Sequence, residues 1–71
     1  MKLPRDLSGS QVVSALQRLG FTQTRQTGSH IQLAKGSLRV TVPNHDPIAP
    51  GTLKSILRQS GIKPEELLAN L

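Results

Sequence analysis

The sequence contains no cysteine. That removes disulfide staples, thiolate metal sites and cysteine nucleophiles together. Tryptophan and tyrosine are absent and there is one phenylalanine, so the aromatic stacking platforms of many single-strand binders cannot be assembled. Acids are scarce: four Asp plus Glu stand against nine Lys plus Arg, a net charge of +5. That imbalance suits a polyanionic partner held through phosphate and shape, although many small proteins are basic without any such role. The longest apolar run, Leu67-Leu68-Ala69, is three residues. It is too short for a transmembrane helix or a signal-peptide core, and a soluble, cytoplasmic protein is expected.

What remains is enough for a core. Twenty of the 71 residues are Leu, Ile, Val or Phe, which argues against wholesale disorder. With no repeat, linker or low-complexity tract, residues 1–71 read as one domain. A domain of this size buries only about 60% of its unfolded surface. It cannot both fill a core and wall an enclosed pocket, so an enzyme built around a buried cofactor is excluded.

Along the chain, residues 7–19 suit a first helix. Ser8 and Ser10 are both N-cap candidates, Val12, Val13, Leu16 and Leu19 fall on one stripe, and Gly20 stands where a left-handed C-terminal residue is wanted. Phe21 re-enters the core and opens an extended stretch to about Arg25. Thr27-Gly28-Ser29 and Lys35-Gly36-Ser37 are turns. Between them, residues 30–34 alternate, with Ile31 and Leu33 on one face and His30 and Gln32 on the other. Residues 38–42 alternate again, placing Leu38, Val40 and Val42 inward and Arg39 and Thr41 outward. His30, Gln32, Arg39 and Thr41 are therefore expected on one polar face. A loop from Pro43 leads to Pro50, well placed for the first turn of a helix whose buried stripe is Leu53, Ile56 and Leu57 and whose end is Gly61. Residues 62–68 suit a short last helix, with Pro64 and two acids in its first turn. The order predicts a two-layer α+β sandwich, αβββα with a short extra C-terminal helix.

Three features could carry chemistry. In Gly28-Ser29-His30 a tight turn delivers an imidazole, the side chain that changes charge near neutrality, to the start of a strand; it could act as a general acid or base. A polar residue on a solvated face is the commoner meaning of so short a motif, but Arg39 on the same face and Arg25 and Lys35 near the two turns favour an anionic ligand. The second feature is Pro43-Asn44-His45-Asp46-Pro47, where a His beside an Asp could form an oriented acid–base pair or part of a metal site. A solvated turn is the commoner outcome there. Two histidines and four scattered carboxylates make no metal constellation, so His45 is a secondary candidate and neither metal nor cofactor is expected. The third is the second helix, where Lys54 and Arg58 form an uncompensated i,i+4 pair.

Taken in order, Gly28-Ser29-His30 after a Phe-led strand, Val40-Thr41-Val42-Pro43-Asn44-His45, and Pro50-Gly51-Thr52-Leu53 leading through Ile56-Leu57-Arg58-Gln59 to Gly61 resemble the HicA-type (YcfA-like) mRNA interferases. The resemblance spans nearly the whole chain. It implies an αβββα fold similar to the double-stranded-RNA-binding domain, a toxin of a type II toxin–antitoxin module that cleaves mRNA to arrest translation, and a HicB-type antitoxin that covers the His30 face. It also implies that His30 is catalytic, with Gly28 and Ser29 shaping its approach. True double-stranded-RNA-binding domains carry a denser lysine cluster than Lys54 and Arg58, so long-duplex binding is not implied.

The expected mechanism is metal-independent. RNA carries its own nucleophile in the ribose 2′-OH, and one imidazole can take its proton while cations stabilise the phosphorane. Arg25, Lys35 and Arg39, with Lys54 and Arg58 on the helix, are the candidate RNA contacts. A non-catalytic basic RNA-binding module and a module for an acidic protein partner are the competing readings.

Overall fold

The computed structural model describes residues 6–71, in the order α1 (Gly9–Arg18), β1 (Thr22–Thr27), β2 (His30–Lys35), β3 (Leu38–Pro43), α2 (Pro50–Ser60) and α3 (Pro64–Ala69). The strands form one antiparallel sheet in the order β1-β2-β3. The expected α+β order holds, and the arrangement is that of the double-stranded-RNA-binding domain.

Local chemistry sets the element ends. Of the two serines, Ser8 is the N-cap of α1: its hydroxyl accepts from the Gln11 N–H at 3.2 Å, while the Gln11 side chain accepts from the Ser8 N–H at 2.8 Å. This reciprocal capping box starts the helix two residues later than the apolar pattern alone suggests. Gly20 at φ 102° and Gly61 at φ 71° close α1 and α2 in the left-handed region. Pro50 opens α2 where its missing N–H costs no hydrogen bond.

Both hairpins turn on two residues, Gly28-Ser29 and Gly36-Ser37. Each glycine has φ near +60° and neither serine has a positive φ, the pattern of a type II′ turn, which matches the right-handed twist of the strands.

The core lies between one sheet face and the helices. Val12, Ala15 and Leu16 of α1, Ile31 and Leu33 of β2, Val40 and Val42 of β3, Leu53 and Ile56 of α2 and Leu67 of α3 are all buried in it, together with Phe21 and Ile48. One expectation needs correction. Leu38 is 42% exposed rather than inward, because it sits beside the β2–β3 turn, past the cover of the helices. All six residues of β1 are exposed, so this edge strand is held by its ladder to β2, by the Thr24 hydroxyl and by Phe21 before it, not by buried side chains of its own.

A loop binds the layers together at one end. The Asn44 N–H donates to the Ser29 carbonyl, Gly9 N–H to the His45 carbonyl at 2.8 Å, and Ile48 N–H to the Leu7 carbonyl at 2.7 Å. The backbone passes so close to α1 that a Cβ on Gly9 would stand 2.5 Å from the Pro43 carbonyl oxygen and 2.9 Å from the Asn44 Cα. Both obstacles are backbone, so neither can swing aside. Gly9→Ala is therefore expected to lower the unfolding free energy by about 1–3 kcal/mol, the usual cost of overpacking, although alanine is the better helix former. Urea denaturation of the two proteins measures the difference.

Candidate active site

Residues opposite one another in an antiparallel ladder share a face, and faces alternate along a strand. The β2–β3 register pairs His30 with Pro43, Gln32 with Thr41 and Ala34 with Arg39. These six lie on the sheet face away from the helices, since their neighbours Ile31, Leu33, Val40 and Val42 are buried beneath. The polar face read from the sequence is therefore present, and it is open. His30, Gln32 and Arg39 are exposed and Thr41 is half-buried.

The first strand joins this face through an irregularity. The register runs Thr22 to Ala34 and Gln23 to Leu33, then resumes at Arg25 to Gln32 and Thr27 to His30. Thr24 is the extra residue, and its hydroxyl donates to the Gln32 carbonyl at 3.3 Å. Counted from buried Phe21 without a bulge, Arg25 would belong to the helix-side face. The inserted residue reverses the parity and re-aims it, as bulges near functional sites do. Arg25 thus becomes the diagonal neighbour of His30, roughly 7–8 Å away by the usual spacing of such pairs, within reach of a guanidinium stem. Nothing in Thr-Gln-Thr-Arg-Gln-Thr announces this from sequence.

His30 itself is the first residue of β2, directly after the turn. The turn is braced from two sides: the Gln26 amide of β1 donates to the Gly28 carbonyl at 3.2 Å, and the Ser29 carbonyl accepts from Asn44 in the loop after β3. A Cβ on Gly28 would meet nothing within 4 Å. The glycine is needed there for its φ of 58°, not for room. Pro43 opposite His30 carries no N–H, which is tolerated because that position of β3 faces the free edge.

The remaining cations separate into groups. Arg39 shares the open face but pairs with Ala34, four residues and roughly 14 Å along the strand from His30. Lys35 does not join it. Its ammonium donates to the Leu19 carbonyl at 2.8 Å and stands 5.9 Å from the centre of the Phe21 ring, capping the C-terminal end of α1 and favoured there by the helix dipole. Lys54 and Arg58 are exposed on α2. The neighbouring Gln59 accepts from the Thr41 N–H at 3.1 Å and so covers the free edge of β3. At 100° per residue, Arg58 is turned about 100° and Lys54 about 140° from Gln59, so both belong to the helix layer. Sequence reasoning missed Gln59, whose role depends on a contact 18 residues away. His45 is exposed, beside the loop backbone pinned to Gly9. Among the described residues no three His, Cys, Asp or Glu side chains come together, and no helix is long and apolar enough to cross a membrane.

An open three-stranded face, backed by two helices and bearing an imidazole beside a cation, belongs to a small α+β module with the arrangement of the double-stranded-RNA-binding domain. Residues 9–62 match the family model described as the HicA toxin of bacterial toxin–antitoxin systems, and the chain belongs to that family. Its members are mRNA interferases and pair with HicB antitoxins. No curated protein matches the chain.

The division of cations has a measurable consequence. Each phosphate contact to a single strand contributes about −0.7 to the log–log salt slope of binding. Arg25→Ala should make the slope shallower by about that amount with folding intact. Lys35→Ala should leave the slope unchanged and lower unfolding free energy by about 1 kcal/mol, the worth of its bond to α1. Salt titration of RNA binding, paired with denaturation, reads both.

Proposed function

We propose that this chain is a cytoplasmic mRNA interferase toxin that cleaves RNA by its own side chains, with His30 as the general base and the substrate's ribose 2′-OH as the nucleophile. The observation that carries the reading is the placement of His30: an exposed imidazole at the braced end of an open polar face, with Arg25 as its diagonal neighbour. A flat face of this kind takes an extended strand without an enclosing pocket. The imidazole takes the 2′-OH proton, the 2′ oxygen attacks the adjacent phosphorus, and Arg25 offsets the charge gathering on the phosphoryl oxygens. Arg39 holds a phosphate farther along the strand. Gly28 and Ser29 act by fixing where the imidazole stands.

Attack by the 2′ oxygen needs no bound metal, because the nucleophile is already part of the substrate. A single positioned base contributes ~10²–10⁴-fold, which is adequate for a toxin acting on abundant messages. A HicB-type antitoxin would silence the protein by laying an acidic surface over the His30 face, where complementary charge also speeds encounter.

His30→Ala should abolish cleavage and growth arrest while the circular dichroism spectrum stays native. Cleavage that survives this substitution would remove His30 from the reaction. An RNA with a single 2′-deoxyribose at the mapped cut site should bind with almost unchanged affinity and stay intact there, while chelator leaves the rate on normal RNA nearly constant. A protein that binds RNA and never cuts it would be the non-catalytic module instead.

A further inference from the structure

Cleavage by the 2′-OH requires two proton transfers, and His30 accounts for one. As the 2′ oxygen bonds to phosphorus, the bond from phosphorus to the 5′ oxygen of the next nucleotide breaks, and that oxygen leaves poorly unless it is protonated. Attack and departure lie on opposite sides of phosphorus in an in-line displacement. The donor must therefore be a different side chain from the base, placed to reach the opposite side of the phosphorus.

Resting on the nuclease reading above, we infer that His45 is the general acid that delivers this proton. Its backbone is placed for the role by features unrelated to chemistry. His30 is opposite Pro43, a pair whose Cα atoms stand about 4.5 Å apart because it is not bridged by hydrogen bonds. His45 follows two residues later, which keeps its Cα within about 12 Å of that of His30. The segment between them cannot drift, since Asn44 is bonded to Ser29 on the sheet side and the His45 carbonyl to Gly9 on the helix side. Gly9, with no room for a Cβ, sets the depth at which the loop lies. The two histidines are thus mounted on β2 and on the loop after β3, at the same braced end, and both are exposed.

Among the groups around His30, Arg25, Thr27 and Ser29 cannot serve. The Arg25 guanidinium does not release a proton in this range, and the hydroxyls of Thr27 and Ser29 are far weaker acids than an imidazolium. In the reaction the 2′-OH proton passes to His30, the bond from the 2′ oxygen to phosphorus forms, the bond to the 5′ oxygen breaks, and His45 gives its proton to that oxygen. The products are a 2′,3′-cyclic phosphate and a 5′-OH. Exchange with water returns both imidazoles to their starting states.

A substrate whose leaving 5′ oxygen is replaced by sulfur tests the assignment, because a thiolate departs without protonation. The full-length protein and its His45→Ala, His45→Gln and His30→Ala variants are assayed on matched RNAs carrying oxygen or sulfur at the mapped cut. Both His45 variants should lose about 10²–10³-fold on the oxygen substrate, within the range for one acid–base group. Both should return to within a few-fold of the parent protein on the sulfur substrate, while His30→Ala stays defective on both. The readout is the sulfur-to-oxygen rate ratio within each variant, so a partial loss of folding acts on both rates and cancels. Normal oxygen rates in the His45 variants, or equal defects on the two substrates, overturn the inference. Failure of the parent protein to cut, or cutting independent of His30, defeats the nuclease reading itself.

Discussion

The arrangement depends on the contact between the start of α1 and the loop that follows β3. At Gly9 the helix and the loop backbone meet with no side chain between them, and the loop carries this closeness on to Ser29 through Asn44. Three segments far apart in sequence are joined there: the first turn of a helix, the turn of a hairpin and the exit of an edge strand. The rest of the core could shift a little and the sheet would still form. This junction ties the start of α1 both to the hairpin turn that precedes His30 and to the loop that holds His45.

Much of the architecture is legible in sequence because it is written in local chemistry. Ser8 with Gln11, the Gly-Ser turns, Pro50 and Gly61 each act within a few residues, and the alternation in β2 and β3 displays its buried face directly. The illegible parts are those decided at a distance. The polar run of β1 contains no apolar residue to mark parity, so the bulge at Thr24, and with it the side on which Arg25 emerges, leaves no trace. Alternation groups Leu38 with Val40 and Val42, but it does not say how far the helices extend beneath the sheet, and Leu38 ends up exposed. Lys35 looked like a cation at the tip of a hairpin; its partner is the end of a helix 16 residues earlier.

The candidate site shows the same division. The Gly-Ser-His turn was visible as a motif, and the family match gives it a setting. Which cations accompany His30 was not visible, since five basic residues with equal claims by composition are distributed by the fold among an open face, a helix end and the far layer. Charge that appears uniform in the sequence is sorted in space, and only Arg25 and Arg39 of the five share the sheet face with the imidazole.

The exposure of every side chain in β1 has an energetic side. A strand that buries nothing of its own can separate from its neighbour by breaking hydrogen bonds, those of the ladder and that of the Thr24 hydroxyl, without pulling an apolar side chain out of the core. Such openings lie at the low end of a protein's stability spectrum. His30, in β2, is flanked by buried Ile31, whereas Arg25 rides on an edge strand that buries no side chain. The two halves of the face are therefore mechanically unequal: one is anchored in the core, and the other is held from its edge by hydrogen bonds.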